Sequence, residues 1–158
     1  MAKFAANTDV PSDRSRAEIE KILQRYGAGK FMYGWDQNSA VIAFEMNERR
    51  IQFQLPLPDR ESNEIKRTPS GNLRTSKTQI DAAYEQAVRQ RWRALALVIK
   101  AKMEAVEVGI TMFEDEFLAH IVLPDGQTVG RWMAPQVAHA YQTGKMPPLL
   151  PSPGCESN

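Results

Sequence analysis

The chain has 158 residues, with 20 Lys and Arg against 19 Asp and Glu, giving a formal net charge of +1. That balance excludes a globally basic nucleic-acid coat protein and predicts no bulk attraction to anionic membranes. Length and an apolar fraction of 42% suit one globular domain with a core of its own.

Reaction-specific patterns are missing. The single cysteine, Cys155, excludes an intramolecular disulfide and four-cysteine zinc sites. His120 and His139 lack ligand-like spacing. There is no Gly-rich phosphate loop, no Gly-x-Ser-x-Gly elbow and no Rossmann fingerprint. Cys155 lies in a tail without a structured base, which makes it a poor nucleophile. We therefore expect no catalytic residue, no cofactor and no metal. The amino terminus, MAKFAANTDV, lacks the apolar core of a signal peptide, and no run approaches the roughly 20 apolar residues of a membrane span. A cytoplasmic protein without a membrane partner is expected.

Residues 1–11 read as loosely ordered. Ser15-Arg16-Ala17-Glu18 has the capping-box pattern, and Ile19, Ile22, Leu23 and Tyr26 follow at helical spacing up to Gly27. The period then changes to two. Phe31, Tyr33 and Trp35 alternate, Asp36 to Ser39 is turn chemistry, and Val41 to Met46 is nearly all apolar. Asn47-Glu48 suits a two-residue turn, after which Ile51, Phe53 and Leu55 alternate with Arg50, Gln52 and Gln54. This predicts a three-stranded antiparallel meander with one apolar face for helices and one polar face for water.

Residues 56–77 form a long polar segment bounded by Pro56 and Pro58. Connections of this length are often functional. From Thr78 to Gly109 the sequence predicts one long helix. Tyr84, Val88, Trp92, Leu95, Ile99, Met103, Val106 and Ile110 fall on a single stripe. Ala94, Leu97, Val98 and Ala101 make its middle apolar on other faces too, which predicts cover from a sheet on one side and a helix or second subunit on the other. A short helix over 111–120 capped by Thr111, a Pro124-Asp125-Gly126 turn, and a last helix over Trp132–Tyr141 with Pro135 at its first turn or at a kink complete the domain at about residue 144. The proline-rich tail, 145–158, reads as unstructured. The fold class is α+β: a meander on a long central helix, with an amino-terminal helix and two short carboxy-terminal helices.

Charge is uneven. Lys66, Arg67, Arg74, Lys77, Arg89, Arg91 and Arg93 stand against only Asp81 and Glu85 between residues 66 and 93. Clustered Lys and Arg can neutralise phosphates, so these seven are the candidate DNA- or RNA-binding residues, with Tyr84 or Trp92 available for base stacking if exposed. Lys66, Arg67, Arg74 and Lys77 belong to the loop, and Arg89, Arg91 and Arg93 to the first half of the helix. The bland reading is that the charges solvate the surface and Trp92 is core. The acids Glu104, Glu107, Glu114, Asp115 and Glu116 are expected on solvent faces, where they repel or mimic nucleic acid or dock a basic protein; a hydrolase of nucleic acid or nucleotides that uses them to hold Mg²⁺ is the third reading and ranks last. A second reading is a protein-interaction module: a homodimer through the long helix, or an inhibitor of a host defence or replication factor.

The segments DRSRAEIEKILQRYGAGKFMYGWD (13–36) and RQRWRALALVIKAKMEAVEVGITMFEDEFLAHIVLPDGQTVG (89–130) resemble an uncharacterised family of small proteins encoded by tailed bacteriophages and prophages. The resemblance carries no catalytic motif. It implies a phage or prophage origin and expression in the bacterial cytoplasm, and points to phage DNA metabolism, host takeover or counter-defence. Joined to the residue-level reading, the expectation is a non-enzymatic phage accessory protein with DNA, RNA or a host or phage protein as partner.

Overall fold

The computed structural model describes Ala5 and residues 7–146. Residues 1–4 and 6 of the start expected to be loosely ordered, and 147–158 of the proline-rich tail with Cys155, lie outside that set.

The elements run α1 (Ser12–Arg25), β1 (Lys30–Trp35), β2 (Ser39–Met46), β3 (Arg49–Pro56), α2 (Asn63–Lys66), α3 (Lys77–Glu107), α4 (Phe113–Phe117), a 3-10 turn over Leu118–His120, and α5 (Val129–Thr143). The fold is α+β, with an antiparallel sheet ordered β1-β2-β3. Both hairpins are closed by local chemistry. Asp36 Oδ1 accepts the N–H groups of Asn38 and Ser39, each at 2.7 Å. Asn47 and Glu48 both take left-handed φ values, 51° and 60°, as a two-residue type I′ turn requires. The register sets Ala40 opposite Leu55, Ile42 opposite Phe53 and Phe44 opposite Ile51. Those side chains form the inner face of the sheet. They bury against Trp92, Leu95, Ala96, Ile99 and Met103 of α3, Ile19 and Leu23 of α1, and Phe113 and Phe117 of α4.

The long helix starts where Ser76 Oγ accepts the Gln79 N–H at 3.2 Å. It stops at Gly109, whose φ of 77° lets the Ile110 N–H reach back to the Ala105 carbonyl at 2.9 Å. Its length is about 46 Å. Ile110, expected on the buried stripe, lies past this stop and is 79% exposed. The helix is covered by the sheet, α1, α2 and α4, but Val98 and Ala101 remain exposed. Among the described residues nothing covers that side.

Three helix starts differ from expectation. α1 begins after Pro11, so Ser15 lies inside the helix and its N–H donates to the Pro11 carbonyl at 3.1 Å. Ser15 shares a stripe with Ile19 and Leu23, and burying that stripe buries Ser15 completely. The region 111–120 divides into α4 and a 3-10 turn; its cap position is Met112 rather than Thr111, with no side-chain cap bond. α5 begins three residues before Trp132, where Thr128 Oγ1 accepts the Arg131 N–H. Pro135 therefore sits in the helix interior, where it lacks the N–H that would bond the Arg131 carbonyl. The 56–77 segment is also partly built. Ile65, an apolar residue within a polar run, is fully buried and anchors α2 against α3.

The Ser15 hydroxyl has no hydrogen-bond partner among the described residues. A buried unpaired hydroxyl is unfavourable, and Ala is the better helix former. Ser15→Ala should stabilise the protein by about 1 kcal/mol, read as a higher urea midpoint at unchanged m-value.

Candidate functional site

The seven candidate basic residues do not form one surface. A helix turns residues two apart to opposite sides, while residues four apart share a side. Arg93 therefore meets α1, where it pairs with Glu18 at 2.5 Å, and Arg89 donates to the Gln86 side-chain oxygen at 2.6 Å. Arg91 points the other way and pairs with Glu64 of α2 at 3.1 Å. Lys77 lies two heptads before Arg91, on the same side, and makes no ion pair among the described residues. Within the preceding segment Lys66 pairs with Glu61, and Arg67 donates to the Gly71 carbonyl at 2.9 Å. Arg74 donates to the carbonyls of Ile65, at 2.8 Å, and Arg67. Lys66, Arg67, Arg74, Lys77 and Arg91 thus gather on the α2 side, and Arg89 and Arg93 on the α1 side. Lys66, Arg91 and Arg93 are already matched by carboxylates.

The stacking candidates have structural partners. Trp92 is core, 2% exposed, and meets Tyr33 edge-on with 5.6 Å between ring centres. The Arg16 guanidinium lies 5.1 Å from the Tyr33 ring centre and 5.3 Å from that of Trp92. Tyr84 is half-buried beneath the Arg60 guanidinium, 4.2 Å from its ring centre, and lines a cavity of about 440 Å³ with Trp35, Asp36 and Leu57. The acids diverge as well. Glu104 accepts the Tyr26 hydroxyl at 2.7 Å, whereas Glu116 pairs with Lys102 at 2.8 Å on a different side of α3. Among the described residues no three His, Cys, Asp or Glu side chains are placed to hold a metal ion. No helix among them is long and apolar enough to cross a membrane.

The surface that sequence reasoning missed is the edge strand β1. Trp35 is 72% exposed and Met32 60%, and Tyr33 is also exposed. The Asp36 N–H donates to the Ser39 carbonyl at 2.8 Å. The alternation of an antiparallel ladder carries that bonded pairing to Gly34–Val41, Met32–Ala43 and Lys30–Glu45. The N–H and C=O groups of Phe31, Tyr33 and Trp35 therefore point away from β2. Among the described residues no strand meets them. The opposite edge differs: Ile121 bridges to Ile51, and the Val122 N–H donates to the Arg50 carbonyl at 2.8 Å. In sequence, Lys30 and Gly34 within an aromatic alternation were the available sign of an edge strand.

The chain matches no protein-family model, no curated protein and no solved structure.

His120 stacks on Phe53 with 4.0 Å between ring centres. Burial lowers its pKa below the ordinary histidine value, and the Lys102 charge adds to this; a hydrogen bond with the Gln52 backbone acts the other way. As pH falls, the unfolded chain takes up this proton first, near pH 6.5. The contribution of neutral His120 is therefore complete above about pH 6.5 and is lost as pH drops toward the folded value. Urea midpoints should fall between pH 7.5 and 5.5, and His120→Gln should flatten that slope.

Proposed function

We propose that the protein is a non-enzymatic accessory protein, of the phage type its sequence resembles, that acts by docking a strand of another polypeptide along β1. The observation that carries this is the β1 edge, which no strand meets among the described residues, with Trp35, Met32 and Tyr33 at the surface. Added strands bind through main-chain hydrogen bonds and gain selectivity from alternate side chains. Soluble proteins usually charge, shorten or cover such edges. The one charge within β1, Lys30, is paired with Glu45 at 2.7 Å.

The test is a surface array of short extended peptides from bacterial and phage proteins. A subset should bind, and Trp35→Pro should abolish that binding, because it removes an outward N–H that the β1–β2 ladder does not use. Binding indifferent to Trp35→Pro, or no binding to any peptide, sinks the reading.

Nucleic-acid binding is the second reading, supported by the five basic residues on the α2 side. Lys66 and Lys77 are the informative positions, since neither holds a loop carbonyl. If the surface binds phosphates, Lys66→Glu with Lys77→Glu should weaken binding of labelled single- or double-stranded DNA or RNA, and added salt should weaken it too. Unaltered titrations of the double variant at low salt would remove this reading.

A further inference from the structure

We infer that β1 pairs antiparallel with β1 of a second copy of this chain, about a two-fold axis through Tyr33, joining two three-stranded sheets into one. This rests on the edge-docking reading and names the strand that occupies the edge. Two constraints limit the register, and side-chain complementarity then selects among the few that remain. A two-fold axis normal to the sheet keeps each face on its own side, so only residues that share a face can stand opposite one another. The free main-chain groups belong to Phe31, Tyr33 and Trp35, so these must form the hydrogen-bonded pairs.

With Tyr33 opposite Tyr33 of the second copy, Phe31 stands opposite Trp35 of the second copy on the inner face. Cross-strand aromatic pairs of this kind stabilise sheets. On the outer face Met32 stands opposite Gly34 of the second copy. A Cβ at Gly34 would meet no atom within 4 Å, so there is open space for the Met32 side chain. At each end Lys30, which holds Glu45 within its own copy, stands opposite Asp36 of the second copy, so one exposed ammonium lies between two carboxylates, an arrangement that occurs twice. Asp36 is held ionised: the N–H of Asn38, then that of Ser39, keep its carboxyl below the usual carboxylate range. Neighbouring registers are poorer. Centring on Met32 places Lys30 opposite Gly34 and loses both charge pairs. Centring on Gly34 places Met32 against the Asp36 carboxylate. The charge match, the Met-over-Gly fit and the aromatic pairing coincide only with Tyr33 at the axis.

A pair of six-residue strands buries little area and belongs with the small, transient interfaces below about 1,200 Å². The dimer should therefore depend on concentration. Sedimentation velocity from micromolar to millimolar protein should show wild type moving from monomer to dimer. Trp35→Pro and Lys30→Glu should each raise the dissociation constant about tenfold or more, the latter through repulsion from Asp36 at both ends. Lys30→Glu also removes the exposed Lys30–Glu45 pair within each copy, so an unchanged circular dichroism spectrum is required to separate dimer loss from misfolding. The register is read by oxidising Met32→Cys/Gly34→Cys in a Cys155→Ser background. Directly opposed non-bonded residues lie about 4.5 Å apart at Cα, within the disulfide range of about 4.4–6.8 Å. This variant should form a covalent dimer, and Met32→Cys alone should not, because its two copies lie on a diagonal about 7–8 Å long. A wild type monomeric at every concentration overturns the inference, as does a dimer that survives Trp35→Pro and does not cross-link. A monomer that still binds array peptides through Trp35 overturns only the self-pairing and leaves strand docking intact.

Discussion

Burial of the α3 stripe between the inner face of the sheet and α1 is the constraint on which the other contacts depend. Trp92, Leu95, Ala96, Ile99 and Met103 are all withdrawn from water there. Each large side chain contributes about 1.5–3 kcal/mol through burial alone. The Phe117 ring extends the same core. It meets Phe44 at 6.1 Å and Phe53 at 6.3 Å, each at 90°, the edge-to-face geometry that aromatic quadrupoles favour. α4 is thereby held against the sheet although it has only five residues.

Once that stripe faces the sheet, the charges along its borders meet neighbouring elements. Arg93 reaches Glu18 of α1, Arg91 reaches Glu64 of α2, and Lys102 reaches Glu116 of α4. Such partly exposed pairs add little energy individually. Their consequence is geometric. They fix how three short elements sit on one long helix, and they occupy cations that a linear reading offers to an external phosphate. Arg74 does the same for the 56–77 segment by gathering two of its carbonyls.

The sheet is finished unequally. The β3 edge is met by the turn at Ile121, whereas β1 keeps its outward amides and carbonyls free among the described residues. The free edge carries aromatic side chains over α1 and Trp92, with Arg16 lying across Tyr33 and Trp92. A strand with alternating large side chains, whose outward main-chain groups meet no strand among the described residues, is suited to recognising another strand.

The order and type of the main elements were legible in the sequence because they rest on local periodicity: two for residues 31–35 and 51–55, and 3.6 along α3. The glycine stops at Gly27, Gly109 and Gly144 were legible for a similar reason, since each takes a left-handed φ. Ser15 was misread because a capping pattern also occurs one turn inside a helix, and only packing shows which serine is buried. The basic residues could be counted but not placed, since their partners Glu18 and Glu64 lie 75 and 27 residues away in the chain. That β1 is an outer strand followed from the order of strands in the sheet. Periodicity assigns a residue to a face; long-range pairing decides whether a strand's outward hydrogen-bonding groups meet another strand or remain free.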